Sequence, residues 1–241
     1  MMKQTNAKIY LAEERGLNES GWYRSCNTFN YGRYFNQHKT PFGGIYIFND
    51  DLLAGGHSLE MKAEHASFVV LLPVFGALEF NDMQGRSGLM AAGQLQLLRL
   101  GAGARLVLAN PFTDITVNFV QIWIHDEGKM PSAPSATISY DVNTFMNSLV
   151  QVTPTHLDGT QVPFIVSVGK FSGRGEALHP MRGNNTGFFV FVLNGAFEVE
   201  GRLLHNRDGL ALWGLQEADM EALSPDALLL AIETPFTFSG G

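Results

Sequence analysis

The stretch GGHSLEMKAEHASFVVLLPVFG, Gly55 to Gly76, has the outline of a metal-binding segment, with His57, Glu60, Glu64 and His65 ahead of an apolar run closed by glycine. Imidazole and carboxylate donors together suit a first-row transition ion and leave positions open for substrate or oxygen. The spacing works against that use. His57 and His65 are eight residues apart, which along one strand is ~26 Å, beyond the span of a single ion. Glu64 and His65 are neighbours, so an extended backbone points them to opposite faces. The pattern therefore predicts two loop or surface histidines.

Other reactive groups are sparse. Cys26 is the only cysteine, and Arg24 lies two residues away. A neighbouring cation lowers a thiol pKa, which makes Cys26 a candidate redox-sensing thiol; an inert cysteine is the plainer reading. His156, His179 and His205 are widely spaced, contain no H-x-H pair, and read as surface or core residues. GAGAR (101–105) lies between two strand-like runs rather than ahead of a helix, so it reads as a turn and not as a phosphate loop. The chain has no G-x-S-x-G serine motif and no C-x-x-C.

The elements that must position these groups are strands. GGIYIFND (43–50), ASFVVLLPVFGALEFND (66–82), GQLQLLRLG (93–101), ARLVLAN (104–110) and DITVNFVQIWIHD (114–126) are rich in β-branched and aromatic residues and end in Gly, Asn or Asp. DEGKMPSAPSA (126–136) has no periodicity and predicts a linker, drawn over 128–145, and YDVNTFMNSLV (140–150) predicts a short helix. Strand patterns resume in PFIVSVGKFSG (163–173), GFFVFVLNGAFEVEG (187–201), GLALWGL (209–215) and DALLLAIETPF (226–236). Short strands with turns every eight to twelve residues or so indicate an all-β sandwich or barrel. VFGALEFND (74–82) matches VLNGAFEVEG (192–201), and a further strand opens after each copy, at Gly93 and Gly209. A duplicated β unit explains this economically and predicts two related barrels in tandem.

Composition narrows the function classes. Hydrophobic residues make up 45% of the 241 and charged residues 16%, enough apolar surface for a core in each half. A formal charge of −7 and the lack of any Lys/Arg cluster argue against a nucleic-acid surface. A lone cysteine forms no intramolecular disulfide. MMKQTNAKIYLAEERG has no signal-peptide core, and the longest apolar run, Phe68 to Phe75, falls far short of the ~20 residues that span a bilayer. These features predict a cytoplasmic protein with no membrane contact.

ERGLNESGWYRSCNTFNYGRYF (14–35) and IYIFNDDLLAGG (45–56), followed by GQLQLLRLGAGARLVLANP (93–111) and VQIWI (120–124), resemble the pirin family. The similarity runs over residues 9–125 and more loosely over 163–236. It implies a bicupin, with two jelly-roll (double-stranded β-helix) barrels: an N-terminal barrel over 1–127 and a C-terminal barrel over 146–241. In that family an iron-like metal sits in the first barrel, held by three histidines and one glutamate from an H-x-H pair and an H-x-E pair. Some members oxidise flavonols such as quercetin with molecular oxygen, and others act through partner proteins.

Carried onto this chain, the H-x-H positions are Lys62 and Glu64, the carboxylate of the general cupin motif falls on Phe68, and the H-x-E positions are Leu106 and Leu108. An ammonium repels a cation, and a leucine has no lone pair. The resemblance implies that Glu60, Lys62, Glu64, Ala66 and Phe68 share an inward face, so that Lys62, Glu64, Phe68, Leu106 and Leu108 line the former metal cavity. Lys62 and Glu64 then either fill the barrel mouth as a structural pair or act on a small ligand, with a desolvated lysine as base or nucleophile. The expectation is a metal-free, cofactor-free pirin-like protein, a binding or regulatory monomer or homodimer working through a protein partner or small ligand. The alternative is an enzyme: a quercetin 2,3-dioxygenase-type metal oxygenase with an altered ligand set, or a metal-free cupin using Lys62 and Glu64.

Overall fold

The computed structural model describes residues 5–128, 134–183 and 185–236. The chain divides into two compact units: one runs from Gly16 to Tyr140, and the other joins the N-terminal segment up to Arg15 to the chain from Asp141 onward. Strands dominate both, because nearly every apolar run is short, β-branched or aromatic, and closed by a turn residue.

In the first unit a seven-stranded sheet has the order Ser135–Ser139, Gln94–Leu100, Ser67–Phe75, Val117–His125, Ile45–Leu53, Tyr23–Asn27, Gly16–Glu19. A four-stranded sheet has the order Ser58–Lys62, Arg105–Ala109, Ala77–Asn81, Ser87–Ala91. Every pairing is antiparallel. The two sheets enclose a core of Leu53, Met61, Val69, Leu71, Leu78, Leu98, Leu106, Leu108, Phe119 and Trp123, among others.

The second unit repeats the plan. A six-stranded sheet (Asn6–Tyr10, Gly209–Trp213, Thr186–Asn194, Ala227–Pro235, Ile165–Phe171, Val150–Gln151) packs with a four-stranded one (Glu176–Pro180, Glu217–Ala222, Phe197–Val199, Arg202–Leu204). The sequence repeat is visible in the backbone. Gly76 (φ 81°) and Gly195 (φ 84°) occupy equivalent turns after the long central strands Ser67–Phe75 and Thr186–Asn194. Both sit in the left-handed region that glycine enters without steric cost. The chain is an all-β protein of two cupin-type barrels.

Three expectations about organisation are corrected. Asn6–Tyr10 pairs with Gly209–Trp213, so the chain's first strand belongs to the second barrel rather than the first. Ser135–Ser139, assigned to the linker, extends the first barrel's larger sheet beside Gln94–Leu100; residues 129–133 of that linker lie outside the described residues. The segment 140–150 forms turns instead of a helix. Asp141 accepts the amide of Asn143 at 2.9 Å and Asn147 has φ 58°, both local alternatives to helical bonding.

Candidate functional site

Strand parity decides what faces the interior of the first barrel. Across the Ser58–Lys62/Arg105–Ala109 pair, Leu106 is opposite Met61 and Leu108 opposite Leu59. Leu106, Leu108 and Ala63 are fully buried and Met61 nearly so, all within one apolar core. The alternate set points outward: Lys62 is opposite Arg105, and Arg105 Nη1 pairs with Glu60 at 3.1 Å on the exposed surface. Lys62 and Glu64 are exposed. The expected inward set was out of step by one residue. Leu59, Met61 and Ala63 are the apolar members of the segment, and burying them fixes the register.

Phe68 is buried, but on the opposite face of its strand from Val69 and Leu71, which enter the core. It lies 5.5 Å below the guanidinium of Arg99, whose Nε donates to Asp126 Oδ2 at 2.6 Å. Phe68 is thus part of a buried ion-pair assembly rather than of the former ligand cavity.

The other side of the barrel interior is polar. Tyr23, Ser25 and Asn27 alternate along one strand and face Asp51 and Asn49 on the next, beside Gln121. Asn27 Nδ2 donates to Ser25 Oγ at 2.6 Å, Trp123 Nε1 donates to Gln121 Oε1 at 2.8 Å, and Gln121 Nε2 donates to Asp51 Oδ2. Asp51 has no exposed surface. Burial pushes its carboxyl up to about 7, against the pull of Ser25, Gln121 and Tyr23, with the charge of Asp50 adding to the rise. Sequence reading noticed the N-D-D motif without assigning Asp51 a buried, titrating role.

A second cluster forms where Ser67–Phe75 and Val117–His125 end, with His125 opposite Ser67. The Tyr46 ring stacks on His125 (centroids 4.2 Å apart, 19° between planes), His65 lies 5.3 Å from His125, and Trp123 meets Tyr46 edge-on at 6.5 Å. Ser67 Oγ donates to the His65 carbonyl at 2.9 Å, so its contact with Tyr46 Oη at 2.6 Å is donated by the tyrosine. Burial and the nearby His65 hold His125 below the usual histidine range, which favours its neutral imidazole. Burial raises Tyr46, the Ser67 bond lowers it, and the charge of Glu64 raises it further. The result is an aromatic ledge bearing two imidazoles, suited to holding a planar, hydrogen-bonding molecule. Sequence reading missed Tyr46 and His125, which lie far apart in the chain and meet only through strand register.

The remaining candidates stay apart. His57 stacks on Trp22 (5.5 Å) and bonds the Gly55 carbonyl at 2.7 Å, away from His65. Cys26 is half-buried and opposite Asp50, while Arg24 lies 4.0 Å from Glu19. His156 and His205 are exposed and His179 bonds Glu233. Among the described residues, no three His, Cys, Asp or Glu side chains stand where they could hold a metal together.

Two family models match this chain: Pirin over residues 10–124, and the quercetinase C-terminal cupin domain over 164–233. The chain belongs to the pirin family. It is 25% identical over 230 residues to a quercetin 2,3-dioxygenase of Escherichia coli K12, covering 92% of this chain and 97% of the relative. A Pirin-like protein of Caulobacter vibrioides is 22% identical, with 90% of this chain and 95% of the relative covered. Among solved structures, the bacterial pirin YhhW of Escherichia coli in complex with nickel(II) superposes with a TM-score of 0.84 at 22% identity, over 96% of this chain and all of that one. The four positions that the resemblance assigns to the family's metal ligands are Lys62, Glu64, Leu106 and Leu108. Two of the four ligand positions, Leu106 and Leu108, are buried hydrocarbon, and the other two, Lys62 and Glu64, are exposed.

Proposed function

We propose that this pirin acts as a non-enzymatic binding or regulatory protein, with no transition metal resident in its N-terminal barrel. The observation that supports this is the packing of Leu106 and Leu108 against Met61 and Ala63. At two of the positions where the family places donors, this chain places leucines with no lone pair, and their burial stabilises the barrel instead. Binding is then the work of the partly buried ledge of Tyr46 and His125 with the exposed His65 beside it, which offers imidazole nitrogens and aromatic surface to a small ligand or to a partner protein.

Elemental analysis of protein purified without added metal tests this reading. Iron, nickel, copper and zinc should each fall far below one equivalent per chain, and oxygen uptake with quercetin should match buffer. Near-stoichiometric metal would overturn it.

A second reading, an oxygenase of the quercetin 2,3-dioxygenase type, is favoured by the names of relatives that cover nearly the whole chain. It requires donors outside the four family positions and predicts metal-dependent oxygen uptake. A metal-free enzyme using Lys62 and Glu64 loses its rationale, since neither side chain is desolvated.

A further inference from the structure

The second barrel contains a cleft unrelated to the features above. It opens between the segment leading into Ile165–Phe171, Arg182 with Asn185, and the end of Ala227–Pro235, and its volume is about 230 Å³. That is below the ~300–1,000 Å³ of sites for drug-sized ligands, so the occupant is of small-metabolite size.

A carboxylate is built into its wall. Glu233 is only 5% exposed. His179 Nε2 donates to Oε1 at 2.9 Å, and the backbone N–H of Arg182 donates to Oε2 at 3.1 Å. The His179 ring is fixed in turn by stacking on Phe188, with centroids 5.2 Å apart. Burial would push the Glu233 carboxyl up, but the bonds from His179 and Arg182 outweigh it and hold it below its usual range. Two donors occupy about half of the lone-pair positions of a carboxylate, so both oxygens retain acceptor capacity.

The rest of the lining complements that anion. The Arg182 side chain is exposed and reaches Gln151 Oε1 through Nη2, placing a guanidinium on the same cleft. Val162, Phe164 and Pro235 supply apolar wall. A fixed anion, a fixed cation and apolar surface between them match a molecule with the reverse polarity. We infer that this cleft binds a small zwitterion of the α-amino-acid type, its ammonium on Glu233, its carboxylate on Arg182 and its side chain against Val162, Phe164 and Pro235. An ammonium supplies three donors for the free acceptor positions, and a guanidinium holds a carboxylate in a planar, bidentate geometry.

The test is calorimetric titration of the full chain with the proteinogenic α-amino acids, and with phenylethylamine and phenylpropanoate as the two halves of phenylalanine. At least one apolar amino acid should bind and raise the melting temperature, and each half should bind about tenfold more weakly or worse. Arg182→Met, at an exposed position, should weaken the amino acid about tenfold while leaving the amine unchanged. Glu233→Gln should weaken both, provided that its circular dichroism matches the parent; if it does not fold, the Arg182→Met comparison decides. Absence of binding by every amino acid at millimolar concentration would overturn the inference. Equal binding of phenylpropanoate and phenylalanine, or unchanged affinity in Arg182→Met, would do the same. None of these outcomes bears on whether the first barrel holds a metal.

Discussion

Leu106 stands directly opposite Met61 in an antiparallel pair, and both side chains enter the core of the first barrel while their neighbours Arg105 and Lys62 leave it. This one-residue parity decides which side chains of the two strands fill the barrel. The inward positions of the pair are hydrocarbon.

Leu106→Ala should therefore cost about 2–5 kcal/mol, the range for emptying a buried leucine site. Lys62→Ala should change stability by less than about 0.5 kcal/mol, as for an ordinary surface position. Urea denaturation followed by tryptophan fluorescence measures both. A Lys62 effect as large as that of Leu106 would place the lysine inside the barrel.

Restoring the family's donors at the two inward positions alone should not create a metal centre. The double variant Leu106→His/Leu108→Glu places two polar groups in an apolar core, while Lys62 and Glu64 remain outside. It should be markedly less stable than the parent, because unpaired buried polar groups are costly, and should purify without stoichiometric metal. Tight zinc or nickel binding by this variant would show that the exposed positions can swing inward.

Asp51 makes stability depend on pH in an unusual direction. Its carboxyl titrates at about 7 in the fold against 3.8 ordinarily. Between those values the native state binds more protons than the unfolded chain, so this group's contribution to stability falls as pH rises from about 4 to about 7. Asp51→Asn keeps an acceptor for Gln121 and removes the titration. Denaturation midpoints at about pH 5 and about pH 8 should differ less in this variant than in the parent, with the gain at the higher pH. An unchanged pH profile would place the titration elsewhere.

The Arg99–Asp126 pair is almost wholly buried, at 1% and 5% side-chain exposure. Asp126→Ala leaves a guanidinium in the interior and should cost about 3–5 kcal/mol, whereas Arg99→Met/Asp126→Ala should recover much of that loss. High salt should alter the parent's stability little, since buried pairs are poorly screened. A double variant no more stable than Asp126→Ala would contradict this account.

The fold class was readable because each strand announces itself locally, through β-branched runs and turn residues, and because the Gly76 and Gly195 turns repeat. The first strand's partner was not readable. Nothing in NAKIY specifies that it pairs with Gly209–Trp213, so sequence proximity assigned it to the wrong barrel. Within the site, Leu106 and Leu108 could be placed by counting from the motif, while the facing of Lys62 and Glu64 could not. A family frame carries register, but the apolar residues at 59, 61 and 63 set which face turns inward. Tyr46 and His125 escaped notice because their stacking is a product of tertiary pairing.

The pairing of Asn6–Tyr10 with Gly209–Trp213 also bears on how the protein is made. This strand leaves the ribosome ahead of the whole first barrel, yet its partner emerges only after that barrel and much of the second. Until then it has no sheet to join, and the edge of Gly209–Trp213 stays uncovered until it returns. An uncovered edge is a template for pairing with another chain. Damage to Asn6–Tyr10, or a bulky insertion beside it, would thus be felt in the second barrel, as strand exchange between molecules rather than as a fault in the first.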